Sequence, residues 1–155
     1  MRNAPRTQNK MQLKIKSPKI YVIVSLAIFT VSLTQTAISS SEFEDKTLSG
    51  IATLVMGGLS VLGGGILEWL IWLANPLYFF SLYLFLKSKN KAKIYSLLST
   101  TIALSFVTWN KILVSESGKL GNIDSLGLGY WLWVSSLAIL TIGIFLLEKD
   151  NRHYA

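Results

Sequence analysis

Residues 51–86 form one apolar stretch of 36 residues in which Glu68 is the single charged side chain. As a helix it would measure roughly 54 Å at about 1.5 Å per residue, whereas bilayer hydrocarbon is about 30 Å thick. One upright crossing cannot use the whole segment, and two crossings joined by a turn would need more residues. The segment therefore reads as one crossing plus an extra element. "MGGLSVLGGG" (residues 56–65) places five glycines in ten positions, which weakens a continuous helix. The preferred register has residues 67–86 crossing and residues 51–66 forming a half-helix, re-entrant or lying at the outer surface. The rival register has residues 51–73 crossing, with Pro76 opening an interfacial helix.

Three further apolar runs, 20–39, 94–114 and 126–147, each match the about 20 residues of a spanning helix. Composition agrees: 15% of residues are charged and 51% hydrophobic, against about 25% charged in an ordinary soluble domain. Arg2, Arg6, Lys10, Lys14, Lys16, Lys19, Lys87, Lys89, Lys91 and Lys93 supply ten of the fifteen basic residues, and both clusters flank apolar runs. By the positive-inside rule both face the cytoplasm. The loops 39–47 and 115–125 then lie outside. Because juxtamembrane position accounts for the basic clusters, no nucleic-acid partner is expected.

These patterns predict an all-α membrane protein, a four-helix transmembrane bundle with a glycine-rich, Pro-kinked or re-entrant second segment. Its parts are a basic cytoplasmic segment 1–19, a four-span domain 20–147 and a cytoplasmic tail 148–155. A multi-pass protein of a plasma or inner membrane follows. The first run also has features of a cleavable leader, with a small-residue site around Ala37 and Ser39. Its spanning length and long basic approach favour an anchor.

Glu68 is the most suggestive polar residue, because an ionised acid at the bilayer centre costs about 2.5–3.5 kcal/mol on insertion scales. Gly57, Ser60, Gly64, Glu68, Trp72 and Asn75 recur at three- and four-residue steps, one face of a helix. Glu68, Trp72 and Asn75 are its candidate functional positions. The same spacing also fits helix packing through small residues, or a hydrated Glu68 beside belt tryptophans. Gly57, Gly64 and Gly65 are candidate packing or turn residues. Pro76 would kink the crossing and leave one carbonyl without its N–H partner, which Asn75 or a neighbouring helix could satisfy. Thr101, Ser105 and Thr108 share a face and read as interhelical glue. Lys111 is a candidate ion-pair partner for Glu68. Tyr130, Trp131 and Trp133 open the last span as an interface belt or a docking surface for a partner.

The chemistry that could work here is narrow. Cysteine is absent and His153, the sole histidine, lies in the polar tail, so neither a metal site nor a cofactor is expected. The glycine run lacks the lysine and the strand-to-helix setting of a phosphate cradle. Glu68 has no partner for nucleophilic chemistry. A non-enzymatic membrane protein is expected, binding another membrane protein or its own copies as an accessory subunit or immunity-type protein. The alternative is a small oligomeric proton- or cation-coupled transporter or channel using Glu68. In outline, four short spans with one carboxylate resemble small multidrug transporters. Those carry the acid in their first span, which here has none, so the resemblance transfers no residue.

Overall fold

The computed structural model describes residues 18–115 and 118–152. Expectations for the basic segment before Pro18 and for the last residues of the tail lie outside the described residues. The chain is mostly helical. Helix α1 runs Pro18–Thr34, α2 Gly50–Leu59, α3 Ile66–Trp72, α4 Ala74–Leu86, α5 Ala92–Ser105 and α6 Leu128–Arg152. Short 3-10 turns extend α2 (Ser60–Gly63) and α5 (Phe106–Thr108). Two apolar runs, Ile66–Leu86 and Leu128–Leu147, are long enough to cross a membrane, while Lys19–Thr34, Gly50–Gly63 and Ala92–Thr108 are shorter.

The all-α expectation needs correction, because the polar connections are partly β. Strands β1 (Thr36–Ser39), β2 (Thr47–Ser49) and β5 (Ser125–Leu126) form an antiparallel sheet in the order β2-β1-β5. Strands β3 (Lys111–Leu113) and β4 (Leu120–Asn122) form a hairpin, with Ile112 opposite Gly121. The cause is tertiary. The end of α1 meets the start of α6, so connections distant in sequence run side by side and satisfy their backbone groups by pairing. Side chains reinforce the meeting: the Ser41 amide donates to Asp124 Oδ2 over 2.6 Å, and Lys119 pairs with Glu42 at 2.8 Å. The two polar loops thus share one end of the molecule. Lys93 lies at the other end, its ammonium 4.3 Å from the centre of the Phe145 ring.

Helix α1 packs along α6, and α4 along α5, which also touches α6. On α1 the buried residues Val22, Ser25, Phe29 and Ser32 recur at three- and four-residue steps, the period of one helix face. On α6 the facing small residues are Gly129, Ser136 and Gly143, seven apart. The Ser25 hydroxyl donates to the Ser136 carbonyl over 2.7 Å and accepts from the Tyr78 hydroxyl at 2.7 Å, tying α1, α4 and α6 together. Tyr78 also stacks on Phe29 at 5.3 Å between centroids. Ser99 donates to the Ala74 carbonyl (2.7 Å), and Thr100 donates to Thr141, whose hydroxyl turns to the Ser96 and Leu137 carbonyls. Small hydroxyl residues let backbones approach closely and bridge helices.

The expected glue on α5 is therefore a different set. Thr101, Ser105 and Thr108 are exposed, and Ser105 and Thr108 bond back to the Ile102 and Ser105 carbonyls. The buried face is Ser96, Ser99, Thr100 and Ala103. Further glycines, beyond those expected, are tightly packed between helices. A Cβ at Gly129 would meet the carbonyl of Gln35 at 2.7 Å, and one at Gly143 would meet the Tyr21 ring.

Candidate functional site

The long apolar segment folds back on itself. Ser49 caps α2 by accepting the Ala52 amide, and the 3-10 turn ends at Gly64, whose φ of +85° requires the left-handed region that glycine adopts without cost. The Ser60 hydroxyl lies 2.7 Å from the Gly57 carbonyl and 3.0 Å from that of Gly65, locking the turn. Helix α3 then runs back beside α2. The Trp72 indole lies flat on Gly57 and Gly58, where a Cβ would come within 3.2 and 3.1 Å of the ring. Its N–H donates to the Leu54 carbonyl at 2.8 Å. The continuous helical face expected from Gly57 to Asn75 does not exist, because the chain reverses at Gly64 and Gly65. Gly57, Ser60, Glu68, Trp72 and Asn75 are instead brought to one cavity from α2, its 3-10 extension, α3 and α4.

Gly64 does not pack: a Cβ there meets nothing within 4 Å, and conformation alone selects glycine. Gly65 is confined, since a Cβ would sit 3.0 Å from Glu68 Oε2, Leu113 Cδ2 and Ser60 Cβ.

Glu68 stands in the first turn of α3 and is half-buried. Its Oε1 accepts the Leu113 amide of β3 at 2.9 Å, so the carboxylate ties the hairpin β3–β4 to the hairpin α2–α3. An ion pair with Lys111 is not formed; the acid takes a backbone donor, and Lys111 is exposed. Charge-assisted bonds of this kind are the stronger ones.

Pro76 falls in the first turn of α4, just after the break at Leu73. Its missing N–H would have served the Trp72 carbonyl four residues earlier. The Asn75 side-chain amide donates to that carbonyl at 2.9 Å instead. The Asn75 side-chain oxygen accepts the Trp133 indole N–H, also at 2.9 Å. Tyr130 is buried and donates its hydroxyl to the Ala103 carbonyl at 2.8 Å. Tyr130 and Trp133 therefore point into the molecule and not into a belt; Trp131 alone of the three is exposed. Their partners explain the inversion: each ring carries one donor, and a carbonyl or amide oxygen within the helices receives it.

These elements enclose an open cavity of about 690 Å³ between α1, α2, α3, the strands and the start of α6. Gly57, Glu68, Trp72, Asn75, Tyr130 and Trp133 all line it; Gly64, Gly65, Pro76 and Trp131 do not. Sequence reasoning missed the opposite wall, Phe29 and Leu33 on α1 with Ile38, Phe43 and Leu48 around the sheet. No periodic signal marked it, because β1 is only four residues long and buries Ala37 and Ile38 side by side, without a strand's alternation. Among the described residues no three carboxylate or imidazole groups cluster as metal ligands, and the geometry suits binding of an apolar group.

Comparison with protein-family models, with curated proteins and with solved structures finds no match to this chain.

Proposed function

We propose that the chain is a four-crossing integral membrane protein, a transmembrane bundle of α1, α3–α4, α5 and α6, that acts without chemistry of its own by binding another membrane protein. Both termini and residues 87–93 face the cytoplasm in this reading, and the two small sheets face outward. Support for membrane placement comes from uncovered apolar surface. Only 28% of the apolar window in Ile66–Leu86 and 39% of that in Leu128–Leu147 is buried. A core helix of a soluble protein would be mostly buried, and water tolerates only small exposed apolar patches. The hydroxyls that do lie between helices are engaged, as lipid requires.

The observation that carries the binding role is the hairpin α2–α3. Helix α2 adds no crossing, yet the Trp72 indole ties it to α3 through the Leu54 carbonyl, and Glu68 ties α3 to the β3–β4 hairpin. The exposed apolar side chains of the hairpin α2–α3 are Met56, Leu59 and Leu62, which also line the open cavity, and Ile66 and Leu67, which do not, with Leu62 84% exposed. A fixed apolar projection beside the bundle is a surface for a neighbouring membrane protein. A photo-crosslinking residue at Leu62 tests this in native membranes. A discrete protein adduct is expected at Leu62 and none at Leu98, an exposed position on α5. Adducts at neither, or equally at both, would remove the support. Cysteines at Ser41 and Ser88 report the orientation: an impermeant reagent applied to intact cells should label Ser41→Cys and spare Ser88→Cys.

The transport reading retains one observation in its favour. Glu68 is a carboxylate lining an otherwise largely apolar cavity.

A further inference from the structure

We infer that the cavity behind the hairpin α2–α3 is a binding site for the acyl chain of a membrane lipid. The inference rests on the membrane placement proposed above, but not on the partner protein. Four observations carry it.

The first is size. At about 690 Å³ the cavity falls inside the range of about 300–1,000 Å³ typical of small-molecule sites. A partner helix about 11 Å across would fit for roughly 7 Å of its length, little more than one turn. A single hydrocarbon chain is slim enough to enter.

The second is chemistry. Most of the hydrogen-bonding capacity of the tryptophan and carboxylate set is already used, with Glu68 Oε2 left over. Glu68 holds the Leu113 amide, Trp72 the Leu54 carbonyl, and Asn75 both the Trp72 carbonyl and the Trp133 indole. Among the described residues no buried side-chain N or O lacks a partner. A polar ligand entering here would give up its water bonds with few replacements. A saturated chain gives up none.

The third is dispersion. Apolar walls gain close contacts from any apolar group that lies against them. Phe29, Leu54, Ile71 and Trp133 would gain those contacts against methylene groups.

The fourth is location. Phe29, Asn75 and Trp133 belong to the apolar runs read as crossings. The medium around those runs is itself acyl chain, present at far higher concentration than any other apolar group.

The test uses the full chain extracted from cell membranes in a mild detergent, with native mass spectrometry as the readout. The expected result is a lipid adduct in equal stoichiometry with the chain. Leu54→Trp and Met56→Trp fill the cavity from α2 and should lose the adduct; using both guards against one failing to insert. Leu98→Trp adds the same bulk to a lipid-facing position and should keep it. Solvent extraction then distinguishes the two sources of such a chain, a diacyl phospholipid or a free fatty acid. A wild-type chain carrying only detergent, cavity variants that keep the lipid, or a Leu98→Trp variant that loses it equally would each overturn the inference. Alkaline carbonate washing separates this from the membrane reading. A chain that stays in the pellet yet binds no lipid sinks the acyl-chain site alone, whereas a chain washed into the supernatant sinks the membrane placement beneath it.

Discussion

The side-chain amide of Asn75 lies 2.9 Å from the carbonyl of Trp72, the one carbonyl that Pro76 leaves without its backbone partner. A proline within an apolar run normally costs a hydrogen bond as well as a kink. Here the preceding side chain supplies the bond, and its other end accepts the Trp133 indole. Neighbours in sequence thus repair the helix, while a residue 58 positions away fixes the repair in place.

Asn75→Ala should destabilise the protein by about 1–3 kcal/mol, because the Trp72 carbonyl and the Trp133 N–H both lose partners. Pro76→Ala restores a backbone donor to Trp72. The double variant should therefore recover part of the loss in thermal unfolding in detergent. A double variant no more stable than Asn75→Ala would show that the side-chain amide is not substituting for the missing N–H.

The seam between α1 and α6 is closed by two glycines. A Cβ at Gly129 meets the backbone carbonyls of Gln35, Thr36 and Ser32, and one at Gly143 meets Cγ and Cβ of Tyr21, the base of that side chain and not its flexible end. Neither neighbour can yield without moving backbone. Gly129→Ala and Gly143→Ala should each cost an amount in the overpacking range of about 1–3 kcal/mol. A melting temperature unchanged by either variant would mean that the helices separate freely at that end.

Gly64 should tolerate size but not handedness. Alanine and leucine there would both be forced to a φ of +85° with open space around the side chain, at a cost of roughly 1–2 kcal/mol. Leucine should therefore be about as harmful as alanine, and asparagine milder than either. A leucine variant much worse than alanine in unfolding measurements would point to a clash that the geometry does not contain.

Glu68 separates the two functional readings. Glutamine keeps an oxygen for the Leu113 amide but replaces a charged acceptor with a neutral one, so Glu68→Gln should cost about 1 kcal/mol or less. Glu68→Ala removes the acceptor and should loosen the contact between the two hairpins, at about 1.5–3 kcal/mol. For a binding protein, Glu68→Gln keeps partner capture. For a proton- or cation-coupled transporter it inserts and folds yet abolishes transport. Capture by affinity purification and uptake into vesicles, run on the same variant, decide between them.

The sequence by itself determined the apolar runs and the break among the glycines, and it offered Asn75 or a neighbouring helix for the carbonyl that Pro76 orphans. These are local properties, set by hydropathy, by the φ available to glycine and by the N–H that proline lacks. The segment 51–86 was too long for one crossing, and length alone required a hairpin or a surface element. Only the tertiary structure decided which side chains face inward. Tyr130 and Trp133 have the composition of a belt, but their donors find Ala103 and Asn75 on other helices. Glu68 could face water, a cation or Lys111 by its spacing, and it takes the Leu113 amide because a hairpin 45 residues away folds beside it. Polar connections became strands for the same reason: pairing is a property of two segments brought together, and neither carries it alone.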